Sequence, residues 1–393
     1  MGLLFLFAFA AVLIVAGGTL ALIHHMRHPF RKTFAVAMAR GRPTDPAELG
    51  LKAKEVTFRF DDGVTSPGWI IEGQRPANTG AGGTTDDKAP APTIIFSHGL
   101  GDSRFSALRR VPLLTRFASR VVIYDLLGHG DSSAKVTTLT AREPDDLIAV
   151  MNQVDDGSPF VLIGHSMGAG ISIVAAAKEE TGERRQKTGG GGQATLRPPL
   201  PPGEGWGEGR STGTPSSTDQ STGTRGPTDQ STKAPTPHNS ELTTHNAEPT
   251  TQNSELKTQD SPPTSRVIGV IAEAGYRYGM EPVVGYLWQR RILPWPFVWL
   301  AEWHFAFWLG LRKKTFDRAA HAARLSCPLL MLHGMKDDLC PLYSARLVAE
   351  AAPLGKLVTF DNADHGCLAE QDEARYVETL TEFFRQIANR ARA

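Results

Sequence analysis

Hydrophobic and polar positions along this chain change rhythm several times, and each change predicts an element. Leu3 to Ile23 runs without a single charge, which at about 1.5 Å per helical residue is long enough for a hydrocarbon layer of roughly 30 Å. It reads as a membrane-spanning anchor, with a cleavable signal peptide ending near Thr19-Leu20-Ala21 as the rival. From Lys54 the pattern alternates, EVTFRF and then VTSPGWIIEG about Asp61-Asp62-Gly63, which predicts a β-hairpin. Short apolar runs follow at Thr93 to Ser97, Arg120 to Tyr124, Pro159 to Gly164, Val267 to Gly275, Ser326 to His333 and Lys356 to Phe360. Each has the length and composition of a buried strand. Between them lie helical patterns, at Glu143 to Val154, Ile171 to Lys178 and Leu342 to Ala352, and an amphipathic one closes the chain from Glu370 to Ala391. Strands alternating with helices predict an α/β fold with a mostly parallel, doubly wound sheet.

Two stretches break this rhythm. Residues 178–265 are dominated by Gly, Ser, Thr, Pro and Gln, with near-repeats such as STDQSTGTRG and PTDQSTKAP. Such a composition cannot bury enough surface to offset chain entropy, so a disordered low-complexity insertion is expected there. Tyr276 to Phe316 is the opposite, holding five of the seven tryptophans. Pro294, Pro296, Arg290, Arg291, Glu302 and His304 argue against a second membrane span. Two compatible readings remain: a helical cap that supplies an apolar pocket, or an interfacial segment with tryptophans at headgroup level. The chain therefore divides into an anchor with juxtamembrane linker (1–50), a first core part (51–177), the insertion (178–265) and a second core part (266–393) carrying the aromatic cap (276–316).

Charge and composition narrow the function classes. Lys plus Arg number 42 against 41 Asp plus Glu, a balance that gives no reason to invoke nucleic acid. Basic residues gather just after the apolar run (Arg27, Arg31, Lys32, Arg40, Arg42) and none precede it, which puts the catalytic body on the cytoplasmic side. Cys327, Cys340 and Cys367 show no C-x-x-C pair and read as reduced thiols. His24, His25 and His28 read as polar residues at a membrane boundary rather than as metal ligands. No phosphate-binding loop, H-E-x-x-H or dinucleotide fingerprint occurs, so neither cofactor nor metal is implied. Ser132-Ser133-Ala134-Lys135 and Lys187-Thr188-Gly189 match motifs of penicillin-binding enzymes, but S-D-N is absent and the pair is read as coincidence. Nothing in the sequence bears on oligomeric state.

The chemistry concentrates in FVLIGHSMGAG, Phe160 to Gly170. Here an apolar run meets Gly164-His165-Ser166-Met167-Gly168, a G-x-S-x-G turn from strand to helix. Backbone on either side of the serine is crowded in such a turn, and glycines at 164 and 168 relieve the crowding. The serine hydroxyl then stands at the strand end, while N–H groups opening the next helix stay free for an oxyanion. Met167 N–H is one expected donor. Leu100 N–H, in the turn His98-Gly99-Leu100-Gly101 after another strand, is the second. A serine needs a base, and the base needs a carboxylate to fix its tautomer. Asp337 and His365 each follow a strand and supply both. Asp125 and His129, in YDLLGHGDSS, are assigned to holding their loop.

Taken together, SHGLGDS, YDLLGHGDSS, GHSMGAG, HGMKDDLCP and NADHG resemble the α/β-hydrolase superfamily, in particular its serine esterase, monoacylglycerol lipase-like and membrane-anchored branch. The resemblance covers Leu51 to Ala393 apart from the insertion, with the nucleophile, acid and base in the family's order. It implies Ser166 as nucleophile, His365 as base, Leu100 and Met167 as oxyanion hole, and Gly99, Gly164 and Gly168 as motif glycines. The acid four residues after the histidine of the H-G motif is Asp337, with Asp338 and Asp364 nearby as alternatives. The resemblance further implies a carboxylic ester hydrolase, and the anchor and aromatic cap suggest hydrophobic, small-molecule or lipid-like acyl substrates, with thioesterase, amidase and catalytically silent scaffold as other outcomes.

Overall fold

The structure, a computed structural model, describes residues 1–75, 91–182, 265–310, 317–366 and 368–391. The expected insertion from residue 183 onward, the end of the aromatic stretch and Cys367 lie outside them. Eight strands, β1 (Ala53–Arg59), β2 (Thr65–Glu72), β3 (Thr93–Ser97), β4 (Arg120–Tyr124), β5 (Phe160–His165), β6 (Val267–Glu273), β7 (Leu329–Gly334) and β8 (Gly355–Phe360), form one sheet in the order β1-β2-β4-β3-β5-β6-β7-β8. The pairs β1–β2 and β2–β4 are antiparallel. From β4 to β8 all neighbours run parallel.

Apolar runs this continuous arise because both faces of the sheet are covered. In β5, Val161 and Ile163 point into one core, while Phe160 and Leu162 point into the other, and all four are fully buried. Helices α5 (Glu143–Val154), α6 (Met167–Thr181), α9 (Arg318–Ala322) and α10 (Leu342–Ala351) cover the Leu162 face. On the Ile163 face lie α3 (Arg104–Ala107), α4 (Val111–Leu114), α11 (Leu368–Gln371) and α12 (Glu373–Arg390). Helix α6 runs past Lys178 to Thr181 and stops where Gly182 turns left-handed at φ 62°, a conformation glycine adopts without a Cβ penalty.

A third apolar body stands apart from the sheet. It joins the last turns of α1 (Gly2–Arg27) to α7 (Glu281–Gln289) and α8 (Phe297–Trp308), through Ile23, Met26, Val283, Leu287, Ala301 and Phe305. Among the described residues α1 is the one helix long and apolar enough to cross a membrane, with mean hydropathy 2.6 and only Thr19, Ile23 and Met26 buried. The segment expected to be a linker is docked on the domain. Arg31 donates to Gly130 O at 2.9 Å and to Ser132 O, Lys32 pairs with Asp102 at 2.9 Å, and α2 (Phe34–Ala39) follows directly.

Candidate active site

Strand β5 ends at His165 and α6 begins at Met167, so Ser166 alone makes the turn, with φ 54° and ψ −112°. A non-glycine residue in that region is strained, and its surroundings hold it there. Ser166 N–H donates to Glu273 O at 2.8 Å. A Cβ on Gly164 would stand 2.0 Å from Gly168 O, and one on Gly168 would stand 2.0 Å from Ser97 O. Neither position has room for a side chain.

Parallel pairing lines up β5, β6, β7 and β8, so the loops that follow them emerge at one rim about 4.8 Å apart per strand. Ser166, Asp337 and His365 all stand on that rim. His365 Nε2 accepts from the Ser166 hydroxyl at 2.9 Å, and His365 Nδ1–H donates to Asp337 Oδ2 at 2.8 Å. Asp337 Oδ1 accepts from Leu339 N–H at 2.9 Å and Cys340 N–H at 2.8 Å. Burial works to raise the Asp337 carboxyl, but the hydrogen bond and charge of His365, with the Cys340 N–H and His333, outweigh it and hold its pKa below the usual carboxylate value. Asp364, by contrast, accepts from Gly366 N–H at 3.0 Å within its own turn.

Behind Ser166, His365 and Asp337 lies a set of residues that spacing along the chain does not reveal. His165 Nε2–H donates to His365 O at 2.7 Å, and burial, with Arg110 nearby, pushes its imidazole well below the usual range. Neutral, it holds the backbone of the neighbouring histidine. Arg110 donates to Gly366 O at 3.0 Å, its guanidinium lies 3.2 Å from buried Glu273, and Tyr376 O–H donates to the same carboxylate. The one available signal was a lone acidic residue, Glu273, in an otherwise apolar strand.

Around the second turn, His98 Nε2 accepts from Leu126 N–H at 3.0 Å. Its Nδ1 therefore carries the proton and donates to Gly99 O at 2.8 Å. A Cβ on Gly99 would be 3.3 Å from Ser166 Cβ, so this turn lies directly against the elbow. Fully buried Asp125 accepts from Arg104 N–H at 2.8 Å, from the Arg104 guanidinium and from Asp131 N–H at 2.9 Å. His129 Nδ1–H donates to Leu127 O at 2.8 Å. Both hold the loop after β4.

Asp337, Cys340 and His365 bring three possible metal-ligating atoms within 4.8 Å of one another. Both carboxylate oxygens are engaged by N–H donors, and burial raises the Cys340 thiol, keeping it protonated. A thiol must lose its proton to bind a metal; as the three stand, Asp337 is hydrogen-bonded to His365 and to the Cys340 backbone N–H.

Two cavities meet at Ser166 and Leu100. One, of about 300 Å³, includes His165, His365 and several cationic side chains. The other, narrow at about 50 Å³, is lined by Met26, Leu139, Met167, Met280, Val283 and Phe305.

Residues 94–379 match the model of a family described as the alpha/beta hydrolase family. Monoglyceride lipase of Rattus norvegicus is 35% identical over 99 residues, 23% of this chain and 32% of that protein. Protein phosphatase methylesterase 1 of Mus musculus is 33% identical over 92 residues, 22% of this chain and 24% of that protein. The chain thus aligns with a third or less of the length of these curated relatives. Among solved structures, an esterase of Pyrococcus furiosus superposes with a TM-score of 0.53 at 17% identity, covering 92% of this chain and 98% of that one. The hydrolase GrgF from Penicillium sp. sh18 superposes at 0.50 with 12% identity, covering 86% and 100%. At these identities the likeness concerns the fold.

Proposed function

Because the chain belongs to the alpha/beta hydrolase family, we propose that it is a membrane-anchored serine hydrolase that cleaves carboxylic esters of hydrophobic acyl groups through an acyl-enzyme. The observation that carries this reading is the continuous relay Ser166–His365–Asp337, at 2.9 and 2.8 Å, opening onto a cavity. Ser166 Oγ attacks the ester carbonyl as His365 Nε2 takes its proton, and Asp337 steadies the imidazolium that forms. The oxyanion is received by Met167 N–H, which as the first residue of α6 has no acceptor within the helix. Leu100 N–H is the second donor. In a trans peptide the C=O and N–H point oppositely, and His98 and Asp102 N–H hold Gly99 O on the far side. His365 then protonates the leaving alcohol as the C–O bond breaks, and water repeats the sequence on the acyl-enzyme.

Membrane attachment is read from α1 together with its neighbour. A Cβ on Gly18, inside the apolar run, would approach Phe297 to 2.6 Å, so α8 starts beside the membrane-spanning part of α1. Exposed Trp299, Trp303, Phe307 and Trp308 of α8, with Trp288 and Trp295 before it, then lie at the level of the lipid headgroups. The narrow, mostly apolar cavity, lined by Met26 of α1 and Phe305 of α8, would receive an acyl chain from that side. The basic residues after α1 favour a cytoplasmic body.

A fluorophosphonate probe tests the chemistry: labelling of the wild type and none of Ser166→Ala is expected, whereas unlabelled but folded wild type favours the silent scaffold. Matched p-nitrophenyl esters, thioesters and amides of rising chain length separate the leaving-group classes. C-terminal reporter fusions test orientation, and a periplasmic signal overturns the cytoplasmic assignment.

A further inference from the structure

We infer that the leaving alcohol of the substrate carries an anionic group, a phosphate or a carboxylate, held by Lys32, Arg42, Arg109 and Arg110. This rests on the serine-hydrolase reading above and names the substrate class of that site. The two cavities at Ser166 differ in kind. The narrow one is mostly apolar, with Arg318 and Thr140 among its lining residues, while the larger one contains those four cations with, among the described residues, Asp102 as its one carboxylate. The direction of the chemistry decides which part of the ester enters which cavity. His365 Nε2 must deliver its proton to the departing oxygen, so the alcohol leaves on the imidazole's side. His365 and Gly366 line the larger cavity and not the narrow one. The acyl group therefore faces the apolar side and the alcohol faces the cations.

These cations are only partly answered by the protein. Lys32 pairs with Asp102 at 2.9 Å, Arg110 with Glu273 at 3.2 Å, and half-exposed Arg109 with Glu370 at 3.6 Å. Arg42 donates to Ser106 Oγ at 3.2 Å, and among the described residues no carboxylate forms an ion pair with it. A guanidinium facing a partly closed cavity is matched to the oxygens of a phosphate or carboxylate, which it can bind in bidentate fashion. Lys32 and Arg42 come from the segment between α1 and the sheet, so that segment forms a wall of the site as well as a tether.

The test uses the full chain in detergent and three butanoyl esters that differ only in the alcohol: glycerol, glycerol 3-phosphate and glyceric acid. At low salt kcat/KM is expected to favour at least one anionic ester over the glycerol ester by about tenfold, and the preference should shrink toward unity at about 0.5 M salt. Arg42→Gln is expected to lower the anionic-to-neutral ratio by about tenfold, chiefly through KM, with partial recovery in Arg42→Lys. The phosphate and carboxylate esters tell the two anions apart. Equal kcat/KM for all three esters overturns the inference, as does a preference unmoved by both Arg42→Gln and Arg109→Gln. Fluorophosphonate labelling accompanies every sample. Should a variant lose labelling by misfolding, inhibition of wild-type p-nitrophenyl butyrate hydrolysis by glycerol 3-phosphate decides, and no competition overturns the inference. Failure of the wild type itself to label defeats the serine-hydrolase reading first, and is read separately from the ratios.

Discussion

The sheet and the body formed by α1, α7 and α8 are both rich in large apolar side chains, and they place them in opposite ways. Along β5, Phe160, Val161, Leu162 and Ile163 have no exposed surface. Along α8, Trp299 is 51% exposed, Trp303 66% and Phe307 78%. Folding explains the first set, since burying one such side chain contributes about 1.5–3 kcal/mol. Folding gains little from the second set, which forms an apolar surface continuous with an apolar helix. The difference separates a scaffold that positions Ser166, His365 and Asp337 from an exposed apolar surface that lipid would cover under the proposed membrane attachment.

Breaking the scaffold's chemistry gives the largest expected effect. Ser166→Ala should lower ester turnover by about 10⁶-fold, while leaving thermal stability and vesicle binding as in the wild type. Steady-state kinetics alongside calorimetry checks both halves. Next is Asp337→Asn, which keeps the shape but loses the partner that fixes the His365 tautomer. A fall in kcat of about 10⁴-fold is expected, and kcat within tenfold of wild type would reassign the acid. Packing is the third test. Leu162→Ala should cost about 2–5 kcal/mol by denaturant unfolding, whereas exposed Trp303→Ala should cost under about 0.5 kcal/mol. The tryptophan change should instead weaken sedimentation with neutral phosphatidylcholine vesicles, and Trp299→Ala/Trp303→Ala more so. A stability loss for Trp303→Ala as large as that for Leu162→Ala would erase the distinction between the two regions.

Much of the scaffold was legible because its signals are local. The predicted strand at Thr93 to Ser97 and helix at Glu143 to Val154 coincide with β3 and α5, since a run buried on both faces and a 3.6-residue period are each written in consecutive residues. The elbow at Ser166 was legible for the same reason, because its steric demand falls on glycines two positions away. Contacts between distant parts of the chain were not. Arg110 in the turn before α4, Glu273 at the end of β6 and Tyr376 in α12 are far apart along the chain, and no local period links them. Lys32 and Arg42 signalled only charge beside an apolar run, although both reach the cavity at Ser166. Glu370 to Ala391, read as one amphipathic helix, is two, because Asp372 caps α12 by accepting from Arg375 N–H at 3.0 Å. The short helices α3 and α4 escaped because four residues are too few to display a period.

The smallest effect concerns acid, and it sharpens the contrast through Asp337, an ionised group on the rim of the sheet. In the folded protein the Asp337 carboxyl lies below its ordinary 3.8, the His365 contacts outweighing the burial that would raise it. A carboxyl whose folded pKa is depressed binds fewer protons folded than unfolded, so its stabilisation is fully present above the ordinary value and is lost as pH falls through the depressed one. Wild-type stability should therefore decline below about pH 4, and Asp337→Asn, less stable at neutral pH, should show a flatter acid limb over the same interval. Urea midpoints measured between pH 2 and 7 provide the comparison, with vesicle binding of Ser166→Ala followed in parallel. If uncharged indole rings carry that binding, as proposed, it should change little until the fold itself is lost. An acid limb equally steep in Asp337→Asn would mean that other carboxylates dominate acid unfolding, and that the charge of Asp337 matters for the imidazole of His365 without stabilising the rim on which both stand.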